Sequence, residues 1–162
     1  MPEPVLSSKW DEPDAAALSV DDDRILEVIE TADSCVLIRL RKDGHPVGAV
    51  VSHDVLDGEI YAVTNVFRAA HNALLRDPRC SAVFDKPNIA SVTVIGRGEI
   101  VDDPGVLERF YGKYAKRRHF VTSGEFTEEE WLARAFTSNR RLVRVVPEKI
   151  LSLDLAKFAK YR

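Results

Sequence analysis

Thr64, Asn65 and Arg68 are the residues of this 162-residue chain whose types and spacing point to one piece of chemistry. They open the stretch TNVFRAAHNALLRDP, residues 64–78, in which Asn65 stands at the N-cap position of a short helix that Pro78 stops. The first amides of a helix have no intrahelical partner and the helix dipole is positive there, so a helix start is an anion site. A hydroxyl, a carboxamide, those amides and a guanidinium together suit a phosphate monoester. The same residues also read as a plain capped helix with a solvated arginine.

Arg39 and Arg41 carry a second signal. They occupy alternate positions of an otherwise apolar strand, so both are expected on one side of it. That side is either solvent or a cleft that needs positive charge. The run KYAKRRHF, residues 113–120, is a third positive surface, and its cations complement the end of a helix. Other chemistry is not indicated. His45, His53, His71 and His119 fall on expected turns or helix surfaces without a second histidine at ligand spacing, so no metal site is expected. Gly96-Arg97-Gly98 lies inside a strand, so it is not a dinucleotide loop. No catalytic triad is visible.

The elements that must position these residues follow from periodicity and turn chemistry. A helix is expected from Ser19 to about residues 32–33, with Ile25, Leu26, Val28 and Ile29 as its apolar stripe. Residues 34–41 alternate as a strand, with Val36, Ile38 and Leu40 on one face. Asp43-Gly44 turns the chain into a return strand over 46–53. Residues 54–58 read as a turn, and 59–64 as the next strand. Phe67, Ala70 and Leu74 are expected on one face of the short helix. Strands follow at 80–84 and 91–101, with Gly96 and Gly98 marking a bulge or close backbone approach. A helix opens at Asp102-Asp103-Pro104, and Thr127 with Glu130 forms a capping box for another. Residues 142–146 and 150–155 read as two strands interrupted by Pro147. Hairpin-spaced strands with few helices between them indicate a mainly β (α+β) fold, a small antiparallel barrel with flanking helices.

Composition removes several classes. A formal net charge of -3 supplies no basic field for nucleic acid. No apolar run reaches the roughly 20 residues of a membrane helix. Residues 1–17 read as an arm broken by Pro2, Pro4 and Pro13, with Trp10 as an anchor, and residues 18–162 as one domain. The arm is polar and acidic and lacks the layout of a signal peptide. Cys35 and Cys80 stand singly in apolar strands, without a disulfide framework, so a reducing, cytoplasmic setting is expected.

Taken in order, RLRKDGHPVGAVV, DGEIYAVTN, HNALLRDPRCSAVF, SVTVIGRGEIVDDP and VRVVPEKILSLDLAKF resemble the pyridoxamine 5'-phosphate oxidase-like split-barrel superfamily over nearly the whole chain. The lead-in KWDEPDAAALS is similar to that of actinobacterial members. The resemblance implies a six-stranded antiparallel split β-barrel that forms a homodimer. It implies cofactor sites in clefts between the subunits, holding FMN or the deazaflavin coenzyme F420, and oxidoreductase activity on a small-molecule substrate. By the same resemblance, Thr64 and Asn65 stand at the phosphate side. Arg39 and the stretch Ala49 to Ser52, with Val50 and Val51 inside it, stand along the ring. This chain departs from the family pattern at Ala69 and Ala70, where the phosphate-binding Arg-Lys or Lys is expected. Arg68, one residue earlier, is the candidate replacement. Arg39 stands where the family often has threonine, and the family's aromatic pair is missing from residues 49–52. The alternative implied by these departures is a non-catalytic dimer that binds or sequesters a ligand.

Overall fold

The computed structural model describes residues 15–117, 126–135 and 137–159. Trp10 and most of the arm lie outside them, as do the last three residues of the basic run and His119.

Among the described residues, seven strands form one sheet: β1 (Ser34–Leu40), β2 (Pro46–Val51), β3 (His53–Leu56), β4 (Glu59–Asn65), β5 (Arg79–Lys86), β6 (Ala90–Val101) and β7 (Arg140–Asp154). Their spatial order is β2-β1-β5-β6-β7-β4-β3 and all six pairings are antiparallel. β2 and β3 therefore stand at opposite ends of the order, yet only Ser52 separates them in sequence. A sheet whose two ends are joined by one residue must curl round on itself, and the Val63 amide donates to the Ser52 carbonyl (2.8 Å) where it does so. The result is the split barrel that the sequence leads one to expect, with seven strands in place of six.

The seventh strand is β3, where a turn was expected. Asp54 reads as a turn residue, but its side chain is fully buried. The carboxylate accepts from the Val55 amide (2.8 Å) and faces Arg117 (3.1 Å) and Lys113 (3.7 Å) of the helix α3 (Pro104–Arg117). The reversal shrinks to Asp57-Gly58, both at positive φ (53° and 80°). His53, expected on a turn, is likewise buried. Its Nε2 lies 2.8 Å from the Ile29 carbonyl and its ring stands edge-on to Phe84. At the other end of the chain, the two expected strands are one. β7 passes Pro147 without stopping because a register shift against β6 falls at Ile95/Gly96. Gly96 is required there, since a Cβ would sit 2.0 Å from the Val146 carbonyl oxygen.

Two apolar cores flank the sheet. One packs α1 (Ile25–Thr31) through Val28 and Ile29 onto Cys35, Leu37, Phe84, Val92 and Val143. This helix starts later than Ser19, because residues 22–24 form a single 3-10 turn. The other sets Leu107, Phe110, Tyr111 and Tyr114 of α3 against Tyr61 and Leu142. The capping box is present before α4 (Glu128–Ala135). The Glu130 amide donates to Thr127 Oγ1 (3.1 Å) and the Thr127 amide to Glu130 Oε2 (2.8 Å). A short α5 (Leu155–Phe158) closes the chain. Among the described residues no helix is long and apolar enough to cross a membrane.

Candidate functional site

The cleft of interest lies where β4 runs out into α2 (Ala69–Arg76). α2 is placed by its apolar face: Leu74 is 2% exposed and packs over Gly98 of β6, where a Cβ would come within 3.1 Å of Leu74 and 2.9 Å of Val143. The turn before it is held by local bonds. Asn65 Oδ1 accepts from the Phe67 amide (3.0 Å), the Asn65 carbonyl from the Arg68 amide (3.0 Å), and the Asn139 carbonyl from the Val66 amide (3.0 Å). Asn65 is thus spent on the turn and is not the N-cap. That position belongs to Arg68, whose backbone is extended (φ -77°, ψ 139°) and whose side chain makes no capping bond. The start of α2 is left without a side-chain cap, so its amides stand ready for an anion. Phe67 precedes the helix and is 79% exposed, so it does not share the apolar face with Ala70 and Leu74.

A cavity of about 370 Å³ opens in front of this helix start, within the range of about 300–1,000 Å³ that small-molecule sites occupy. Its lining brings together every residue assigned to the site from sequence: Arg39, Val50, Val51, Ser52, Thr64, Asn65, Arg68, Ala69 and Ala70. Ala49 and Val63 complete the walls. Arg140 is the residue that sequence reasoning missed. It is opposite Asn65 in the β4–β7 register, a pairing that local sequence does not encode. Among the described residues, the lining contains three guanidinium groups and no acid.

Two polar atoms in this lining are buried and unpartnered among the described residues, Thr64 Oγ1 and Arg39 Nη1. Thr64 is 4% exposed. A buried polar atom without a bond is costly, and at a cavity wall it is met by water or by an atom of a ligand. Arg39 shares the core-facing side of β1 with Cys35 and Leu37. It continues that face beyond the apolar core into the cavity. Arg41 does not accompany it: β1 ends at Leu40, and Arg41 stands exposed in the hairpin turn, paired with Asp43 at 3.1 Å. Ser52 sits at the corner between β2 and β3. The Tyr114 hydroxyl donates to its Oγ (2.9 Å), which leaves the serine hydrogen to point elsewhere. Behind Ser52 lies the buried Asp54 carboxyl, which desolvation pushes above the ordinary aspartate range against the pull of Arg117 and Lys113.

Comparison with known proteins gives a consistent picture. No curated protein matches the chain. Among solved structures, the conserved hypothetical protein Rv2991 from Mycobacterium tuberculosis is 25% identical, with a TM-score of 0.74 over 89% of this chain and 91% of that one. A structure described as an F420 reductase is 20% identical, with a TM-score of 0.58 over 76% and 93%. A pyridoxamine 5'-phosphate oxidase-related, FMN-binding protein from Nostoc punctiforme is 14% identical, with a TM-score of 0.53 over 76% and 75%. The sequence pattern of pyridoxamine 5'-phosphate oxidase matches residues 21–153, most of the chain. The chain therefore belongs to the pyridoxamine 5'-phosphate oxidase family.

Proposed function

We propose that this protein binds a flavin-type cofactor, FMN or coenzyme F420, in the cleft before α2 and acts as an oxidoreductase on a small-molecule substrate. The observation that carries the reading is Thr64 Oγ1, a buried hydroxyl without a partner among the described residues, in a cavity that also meets an uncapped helix start and Arg68. In this reading Thr64, the first amides of α2 and Arg68 hold the phosphate, and Asn65 keeps the turn in shape. Val50, Val51 and Ser52 flank the ring portion, and the Ser52 hydroxyl donates to it. When bound, the cofactor supplies the hydride chemistry. The chain's own residues orient it and exclude water.

The subunit arrangement belongs to the same proposal. The outer face of the sheet is apolar along paired positions. Val36 is opposite both Val50 and Val83, Val83 opposite Thr93, and Thr93 opposite Leu151. Val50 is 73% and Leu151 48% exposed. Val50 also lines the cleft, so a second copy seated on this face would stand beside the cofactor.

Ala69 and Ala70 favour one other reading. Both line the cleft at the positions where the family resemblance implies a cation, which fits a dimer that binds a ligand without catalysis. Equilibrium titration with FMN and with coenzyme F420, followed by cofactor fluorescence and then by turnover of the reduced complex, separates the two. Binding with reoxidation by an added acceptor is expected. A bound cofactor that cannot be reduced or reoxidised would favour the non-catalytic reading.

A further inference from the structure

The charge of the cleft exceeds what one phosphate needs. A phosphate monoester carries up to about two negative charges. The start of α2 with Arg68 already offers a dipole and a full positive charge to meet it. Arg39 and Arg140 remain, and no acid among the described residues lines the cavity. Arg39 is the informative one. Its cross-strand neighbours, Val47 on β2 and Cys80 on β5, present no strong acceptor, and its Nη1 is buried without a partner among the described residues. A guanidinium placed this way is paired in the working state, because a buried donor left unmet is unfavourable. Arg39 also forms the wall shared with a second cleft of about 320 Å³, where Arg41, Lys42 and Arg76 outnumber Asp43. Asp43 is itself held by Arg41.

We infer that Arg39 receives a second anionic group, a carboxylate of the substrate separate from the phosphate at α2, so that the site takes an acidic substrate. A planar guanidinium matches a carboxylate through two parallel hydrogen bonds. The neighbouring cations draw the acid in along the second cleft. This inference rests on reading the cleft as the ligand site, but not on which cofactor fills it.

The test uses the full chain without cofactor, inorganic phosphate and acetate as probes, and constant ionic strength. The arginine side-chain resonances and the Ala69 amide are followed by NMR. The Arg39 signal is expected to move saturably with acetate even when phosphate already saturates the Ala69 response. In Arg68→Gln the phosphate response at Ala69 weakens by about tenfold or more, while the Arg39 response to acetate stays within about twofold. An Arg39 signal that ignores acetate, or that stops responding once phosphate is bound or Arg68 is replaced, would overturn the second site. An Arg39 response without any phosphate response at Ala69 would instead sink the phosphate reading and leave this one standing. The wild-type arm needs no variant, so misfolding of a mutant does not blunt the test.

Discussion

Thr64 shows at the scale of one residue how far sequence carries a site. Its hydroxyl was legible as a candidate because it stands two positions before a helix-forming run, and the fold buries it at a cavity wall with no partner among the described residues. Asn65 was legible as a helix-start residue but not in its role, since an asparagine side chain that accepts from the second amide ahead forms a turn as readily as a cap. Arg140 was not legible. Only the β4–β7 register brings it opposite Asn65, across 75 positions of sequence. His53 and Asp54 were misread for one reason. Polar residues suggest exposure, yet here an opposing carbonyl and the cations of α3 satisfy them in the interior.

At the scale of elements, strands with strict alternation were legible and the joints between them were not. β1, β5 and β6 fall within a few residues of their expected places, because one buried face imposes the period of two, and so does β4, whose Ile60, Tyr61 and Ala62 are all buried between the two cores. β3 was hidden inside an expected turn, and β7 was split at a proline that a register shift accommodates. α2 is the element that decides the site, and its height above the sheet is set by the absence of a side chain at Gly98. Gly98→Ala is predicted to push Leu74 and Val143 apart, costing about 1–3 kcal/mol by overpacking, and to weaken cofactor binding because Arg68 and Ala69 move with the helix. Chemical denaturation together with cofactor titration measures both. Unchanged affinity in the destabilised variant would mean that the start of α2 does not hold the ligand.

At the scale of the molecule, the curl of the sheet puts one face inside and leaves an apolar patch, Val36, Val50, Val83 and Leu151, on the outward one. A net charge of -3 makes the cluster of arginines around a single cleft a local feature rather than a consequence of composition. The proposed homodimer uses the outer face, and Val50→Lys places an ammonium where an apolar contact would form. Sedimentation is expected to show a dimer for the wild type and a monomer for this variant. A wild-type protein sedimenting at 18.2 kDa would remove the interface from the account. The phosphate proposed at the start of α2 is tested apart from the dimer. Its most direct test is the affinity of FMN against that of riboflavin, which lacks the phosphate, for the wild type and for Arg68→Ala. FMN is expected to bind the wild type far more tightly than riboflavin does. Arg68→Ala is expected to weaken FMN by about tenfold to a hundredfold and to leave riboflavin nearly unchanged. Equal affinities of the wild type for the two compounds, or equal losses for both in the variant, would contradict it.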